Sequence, residues 1–171
     1  MAQQKLTAEE VQKRVEKGET LASVLGITDT QVKAFMAVGY NQYEQGKLKE
    51  ADTTFRGVIS LDPKSYMGWA GLGAVALAHK PPDLETAFAA LGTAAELKPD
   101  DGTIQANIGE VLLRQGKVEE AKAHLEKAFQ SDPDHKDPGV NRARAIVSGL
   151  NTIVKEVEKR LQAEQPQAKA S

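Results

Sequence analysis

Apolar residues return along most of the chain at three- and four-residue steps, and small residues stand among them in a fixed phase. Gly39, Gly73 and Gly109 recur early in three successive segments, and Ala51, Ala87 and Ala121 fall in the second half of each. Phe55, Leu91 and Leu125 follow those alanines by four residues, and Pro63, Pro99 and Pro133 close the segments at intervals of 36 and 34 residues. The three- and four-residue return marks one face of a helix. Proline stops a helix, because it has no amide donor and clashes with the preceding turn. Each unit therefore predicts two helices, parted at Gly46-Lys47 in the first unit and Gly116-Lys117 in the third. The middle unit carries two extra residues in its turn, His79-Lys80-Pro81-Pro82-Asp83, which costs little at a surface. A small residue in each helix lets the two axes approach, while Phe55, Leu91 and Leu125 fill the space between.

A stack of such units leaves an apolar face open at each end and needs caps. Before the repeats, Thr7-Ala8-Glu9-Glu10 and Thr28-Asp29-Thr30-Gln31 have capping-box form and mark helix starts. Leu6, Val11 and Val15 belong to the first of these helices, and Leu21, Val24 and Leu25 follow beyond Gly18. After the repeats, Val140, Ala143, Ile146, Val147, Leu150, Ile153, Val154, Val157 and Leu161 predict one long amphipathic helix. Its first half is expected to seal the last unit. The stripe past Leu150 exceeds what one unit can cover, and either serves self-association or is loosely held. The predicted organisation is a helical cap over residues 1–30 and three repeats over residues 31–137 (about 32–65, 66–101 and 102–135). A C-terminal helix follows over residues 138–163, with a disordered tail, rich in Gln and Ala, over residues 164–171.

The two-helix unit, with its run Trp69-Ala70-Gly71-Leu72-Gly73, resembles the tetratricopeptide repeat. That places the chain in the all-α class, as a tetratricopeptide-repeat solenoid with N-terminal helices and a long C-terminal capping helix. Such solenoids curve, and the first helices of successive units line the concave side. In this register the concave positions are Lys33, Met36, Tyr40, Tyr43 and Glu44, then Met67, Ala70, Ala74, Leu77 and Ala78, then Thr103, Ala106, Glu110, Leu113 and Arg114. The candidate peptide-binding groove is Met36, Tyr40, Tyr43, Met67, Ala70, Ala74 and Leu77. Tyrosines and methionines beside alanines form shallow apolar pockets with hydroxyl rims, suited to proline and leucine on an extended segment. The competing reading is that Tyr40 and Tyr43 only fill space between helices. Met36 and Tyr40 also stand where carboxylate-gripping repeats carry a basic residue and Asn, which argues against that use.

The remaining composition narrows the function. At 171 residues the chain is long enough for one domain that buries a sizeable core, or one domain with tails, and 40% hydrophobic with 27% charged residues is ordinary for a globular protein. A formal charge of −2 offers no field for nucleic acid or an anionic membrane. The absence of cysteine removes disulfides, thiol nucleophiles and Cys-ligated zinc. No apolar segment opens the chain, and the apolar run from Tyr66 to Ala78 is too short to span a bilayer, so the expectation is a cytoplasmic protein. His79, His124 and His135 have no metal-ligand spacing, and Gly71-Leu72-Gly73 lies inside a predicted helix, not in a phosphate-cradling loop. Ser23 and Ser148 lack a nucleophile-elbow setting, and the pairs Glu9-Glu10 and Glu119-Glu120 fall on exposed faces. No catalytic set, metal or cofactor is expected, and the chain reads as a binding protein, not an enzyme.

A narrower resemblance rests on Gly18-Glu19-Thr20-Leu21, Gly26-Ile27-Thr28 and Tyr40-Asn41-Gln42-Tyr43-Glu44-Gln45-Gly46-Lys47. It continues through Ala51, Phe55, Leu61-Asp62 and Gly116-Lys117-Val118-Glu119-Glu120-Ala121. Over about Gly18 to Pro133 the chain resembles the class II type III secretion chaperones, which hold pore-forming translocator proteins. The resemblance implies a cytoplasmic chaperone whose groove binds an extended Pro-x-Leu-x-x-Pro-like segment of a secreted translocator-type protein and keeps it soluble until export. It implies peptide contacts at Tyr40 and Tyr43, Met36 where an aromatic is common, and a homodimer through the N-terminal helices. The alternative is a scaffold or assembly subunit that binds folded partners through its convex face and C-terminal helix.

Overall fold

The computed structural model describes residues 6–168, with side chains from residue 6 to 162. All regular structure among the described residues is helical: α1 (Ala8–Glu16), α2 (Leu21–Val24), α3 (Asp29–Glu44), α4 (Leu48–Leu61), α5 (Tyr66–Ala78), α6 (Leu84–Leu97), α7 (Gly102–Arg114), α8 (Val118–Ser131) and α9 (Pro138–Ala168). The pairs α3/α4, α5/α6 and α7/α8 are the three predicted units. Local chemistry sets most of their boundaries. Thr7 and Thr28 form the two capping boxes with Glu10 and Gln31, and Ser65, Asp83 and Asp101 accept amides at the starts of α5, α6 and α7.

The turns of the first and third units repeat each other bond for bond. Gly46 and Gly116 adopt φ of +72° and +76°, a region that glycine enters without a Cβ penalty. The Gly46 amide donates to the Tyr43 carbonyl and the Lys47 amide to Gln42; Gly116 and Lys117 donate likewise to Leu113 and Leu112. Thirty-four residues beyond Gly116 stands Leu150, and there the chain does not turn: α9 runs straight on to Ala168. Residues 164–168, expected in the tail, are helical. Residues 1–5 of the expected cap and 169–171 of the expected tail lie outside the described residues.

The core runs through all three units. Ala51, Ala87 and Ala121 are fully buried, and so are Phe55 and Leu91. The small residues explain how closely the helices approach: a Cβ built on Gly73 would stand 2.5 Å from Leu91, and one on Gly109 would stand 2.6 Å from Leu125. Phe55 sits against both Gly39 of its own unit and Gly71 of the next, so one ring locks two repeats together.

The first half of α9 seals α7, as expected. Val140 and Ala143 are buried, and Arg144 ties the helix to the end of α8. Its guanidinium pairs with Asp132 at 2.9 Å, donates to the Phe129 carbonyl and lies 5.3 Å above the Phe129 ring. Burial works against the charged form of Asp132, but Arg144 and the Lys136 and Asp137 amides outweigh it and hold the carboxyl below its usual range.

Candidate functional site: the groove of the first helices

α3 and α5 present the predicted groove residues, and the structure sorts them by depth. Tyr40 is half-buried: its ring edge meets Phe55 at 5.1 Å between centroids, and its hydroxyl donates to the Met67 carbonyl at 3.4 Å. Burial, with the charge of Asp101 in support, pushes its phenol up to about 12. The side chain thus spans the seam between the first two units and is fixed at both ends. Tyr43, one turn on, is half-buried against the cluster of Ala51, Phe55 and Leu72. Both tyrosines fill inter-helix space and keep part of their surface open.

Met36 and Met67 come together at the other end of this surface. They line a cavity of about 280 Å³ between α2, α3 and the start of α5, with Lys33, Lys64, Asp29 and Asp62 also on its walls. An apolar floor with mixed charge around it suits an apolar side chain carried on a polar backbone. Ser65 donates to the Met36 sulfur at 3.8 Å, which holds the thioether in place. Sequence reasoning missed Thr20, Ala22, Lys64, Ser65 and Tyr66 on these walls. A partial signal existed, because Met36 and Met67 occupy concave positions of successive units.

Other expected positions are less open. Met36 itself is only 4% exposed, so it offers the cavity an edge and not a broad face. Ala70 and Ala74 are half-buried and form a flat floor along α5. Leu77 is a correction: at 6% exposed it joins the core cluster of Leu91 and Leu112, because α6 and α7 enclose the last turn of α5. The third unit is a second correction. Thr103 donates to Asp137 at 2.8 Å, Ala106 is buried, and Glu110 is buried between Arg114 at 2.8 Å and Arg142 at 3.1 Å. The loop before α9 takes up Thr103 and Arg142 of α9 takes up Glu110, so of the third-unit positions the open surface left is that of Leu113, half-buried, and Arg114, exposed.

No group of three or more His, Asp or Glu able to hold a metal ion occurs among the described residues. The His124 Nδ1–H donates to the Gln105 amide oxygen at 2.7 Å, and burial lowers the pKa of His124. No helix among the described residues is long and apolar enough to cross a membrane.

Tetratricopeptide-repeat family models match residues 33–65 and 80–147, together more than half of the chain, which belongs to that family. A tetratricopeptide-repeat protein of Pseudomonas aeruginosa is 30% identical over 131 residues, covering 67% of this chain and 22% of that protein. The low calcium response locus protein H of Yersinia pestis is 28% identical over 108 residues, 63% of each chain. The chain thus spans about a fifth of the first relative and less than two thirds of the second. Among solved structures, the type III secretion translocator chaperone SycD of Yersinia enterocolitica superposes with a TM-score of 0.64 at 21% identity, covering 77% of this chain and 98% of that one. The same chaperone in complex with a peptide of the translocator YopD gives 0.60 at 22%, with the same coverage. A type III secretion complex from Aeromonas hydrophila gives 0.67 at 22%, covering 88% and 98%. The fold is that of the translocator chaperones, with three repeats between an N-terminal cap and a C-terminal helix.

Proposed function

We propose that the chain is a cytoplasmic chaperone of the translocator type, which holds an extended, proline-containing segment of a secreted partner in the groove of α3 and α5. The observation that carries the reading is the likeness over nearly the whole length of a chaperone solved with a translocator peptide. The groove supports it independently: Tyr40, Tyr43, Ala70 and Ala74 are half-buried along α3 and α5, and Met36 and Met67 line a cavity with charged residues on its walls. Binding works by occupation. An extended segment docked there loses its own apolar exposure and is withheld from aggregation, and no bond is made or broken. The ordering entropy of the segment offsets part of the contact energy, which keeps the complex releasable at export.

The test is co-expression with a secreted partner rich in long apolar segments, followed by titration of a Pro-x-Leu-x-x-Pro peptide from it. Tyr43→Ala is expected to weaken the peptide by about 1–3 kcal/mol, as an anchor aromatic does. Met67→Ala is expected to weaken it less. Unchanged affinity in both folded variants, or a folded partner held with no peptide competition, would overturn the reading in favour of a scaffold.

A further inference from the structure

The outer half of α9 is an apolar seam that its own chain leaves largely uncovered. Val140, Ala143, Val147, Leu150, Val154, Val157 and Leu161 follow one another at alternating steps of three and four, the period of a coiled-coil seam. Val140 and Ala143 are spent on α7, whereas Leu150, Val154, Val157 and Leu161 are 43–56% exposed. Every side chain from residue 148 to 162 is exposed, a rod of roughly 20 Å at 1.5 Å per residue.

The seam runs into a cleft. Where α9 leans away from α8, an apolar cleft of about 540 Å³ opens, with Val118, Leu125 and Phe129 on one wall and Val147, Leu150 and Val154 on the other. One face of α9 is thus cleft wall at its middle and bare seam at its end.

We propose that this surface pairs with a second copy of the chain, the two α9 helices running antiparallel and crossing near Val154. In that arrangement Leu150 lies toward the partner's Val157, and the partner's Leu161 comes to Val147 at the cleft. The flanks agree with self-pairing. Lys155 and Glu158 lie along one edge of the seam, and Glu156 and Arg160, already paired at 3.1 Å, lie along the other. Each edge carries one cation and one anion, so a copy laid on itself sets no excess of like charge in contact. The same mixed charge is not the Lys/Arg-rich face of a membrane-surface helix. The contact is isologous and closes at two copies, with both peptide grooves left free.

The chain has no cysteine, so introduced cysteines report alone. The full chain is expected to sediment as a concentration-dependent dimer, and Val154→Glu with Val157→Glu is expected to weaken self-association by at least about tenfold, with the thermal midpoint of the repeats unchanged. Under mild oxidation Val154→Cys forms a cross-linked dimer, Leu161→Cys alone does not, and Leu161→Cys mixed with Val147→Cys does. A chain that stays monomeric at the highest attainable concentration overturns the proposal. So does a dimer indifferent to the double substitution, or a Leu161→Cys cross-link as rapid as that of Val154→Cys, which reports a parallel pair. A monomer in which Val154→Glu impairs binding of the Pro-x-Leu-x-x-Pro peptide assigns the cleft to the client and overturns it equally.

Discussion

Phe55 and Val154 are both apolar residues on amphipathic helices, yet their surroundings are opposite. Phe55 is fully buried, with the backbone of two repeats pressed against its ring at Gly39 and Gly71. Val154 is 53% exposed, facing α8 only across an open cleft. Apolar periodicity is as regular in α9 as in the repeats, so periodicity alone makes a helix without deciding whether it is packed. Two further features decide that. One is a small residue that lets a neighbour approach; the other is a turn glycine that sends the chain back. Gly46 and Gly116 supply the turn, and Leu150 does not.

The sharpest test of this contrast is at the locked ring. Phe55→Ala removes a fully buried aromatic between two units and should cost about 3–5 kcal/mol in denaturant unfolding. Gly71→Ala drives a methyl into the same ring and should cost about 1–3 kcal/mol by overpacking, although alanine is the better helix former. A Gly71→Ala chain as stable as the parent would mean that the seam between repeats yields easily.

Tyr40 adds a pH signature to the packed region. Its folded pKa of about 12 lies above the ordinary value of 10, so the folded state holds the proton more tightly than the unfolded chain. The associated stability is fully present below pH 10 and is lost as the pH rises toward 12. Tyr40→Phe has no proton to lose, so parent and variant should diverge by up to about 2 kcal/mol across that window. Parallel stability curves would show that the phenol is better solvated than its packing implies. Gly57→Ala makes the opposite control to Gly71→Ala. Gly57 is mid-helix with nothing near an added Cβ, and the substitution should stabilise by about 0.5–1 kcal/mol.

These contrasts also mark what the sequence could reveal. The 34-residue phase, the capping boxes at Thr7 and Thr28 and the contacts of Gly73 and Gly109 with Leu91 and Leu125 were legible, because each depends on residues close in sequence or in fixed register. The depth of the groove was not. Leu77 sits where the register opens to the concave side, but whether that side is open depends on how neighbouring helices cross. Glu110 and Thr103 are lost to the groove because Arg142 of α9 and Asp137 of the loop before it, 32 and 34 residues further on, reach them. The Met36–Met67 cavity likewise needs α2 and the loop before α5 to meet, and no spacing announces that.

The smallest expected effect on global stability separates the two regions most cleanly. Leu150→Gly places glycine at the phase held by Gly46 and Gly116, and glycine costs about 1 kcal/mol in a helix interior. Because every side chain beyond it up to residue 162 is exposed and only the cleft lies between Val154 and α8, that cost falls on α9 locally. Residues 150–162 should lose helical signal and amide protection, while the thermal midpoint of the repeats shifts by no more than about 0.5 kcal/mol equivalent. At concentrations where the chain is monomeric the two changes should be independent. At dimerising concentrations the loss of helix should instead track the loss of self-association, because there the outer half of α9 is held by its copy. A cooperative fall of the whole transition in the monomer would show that the outer helix is coupled to the repeats through the α8–α9 cleft, and the division between packed and bare regions would have to move from Leu150 toward Leu161.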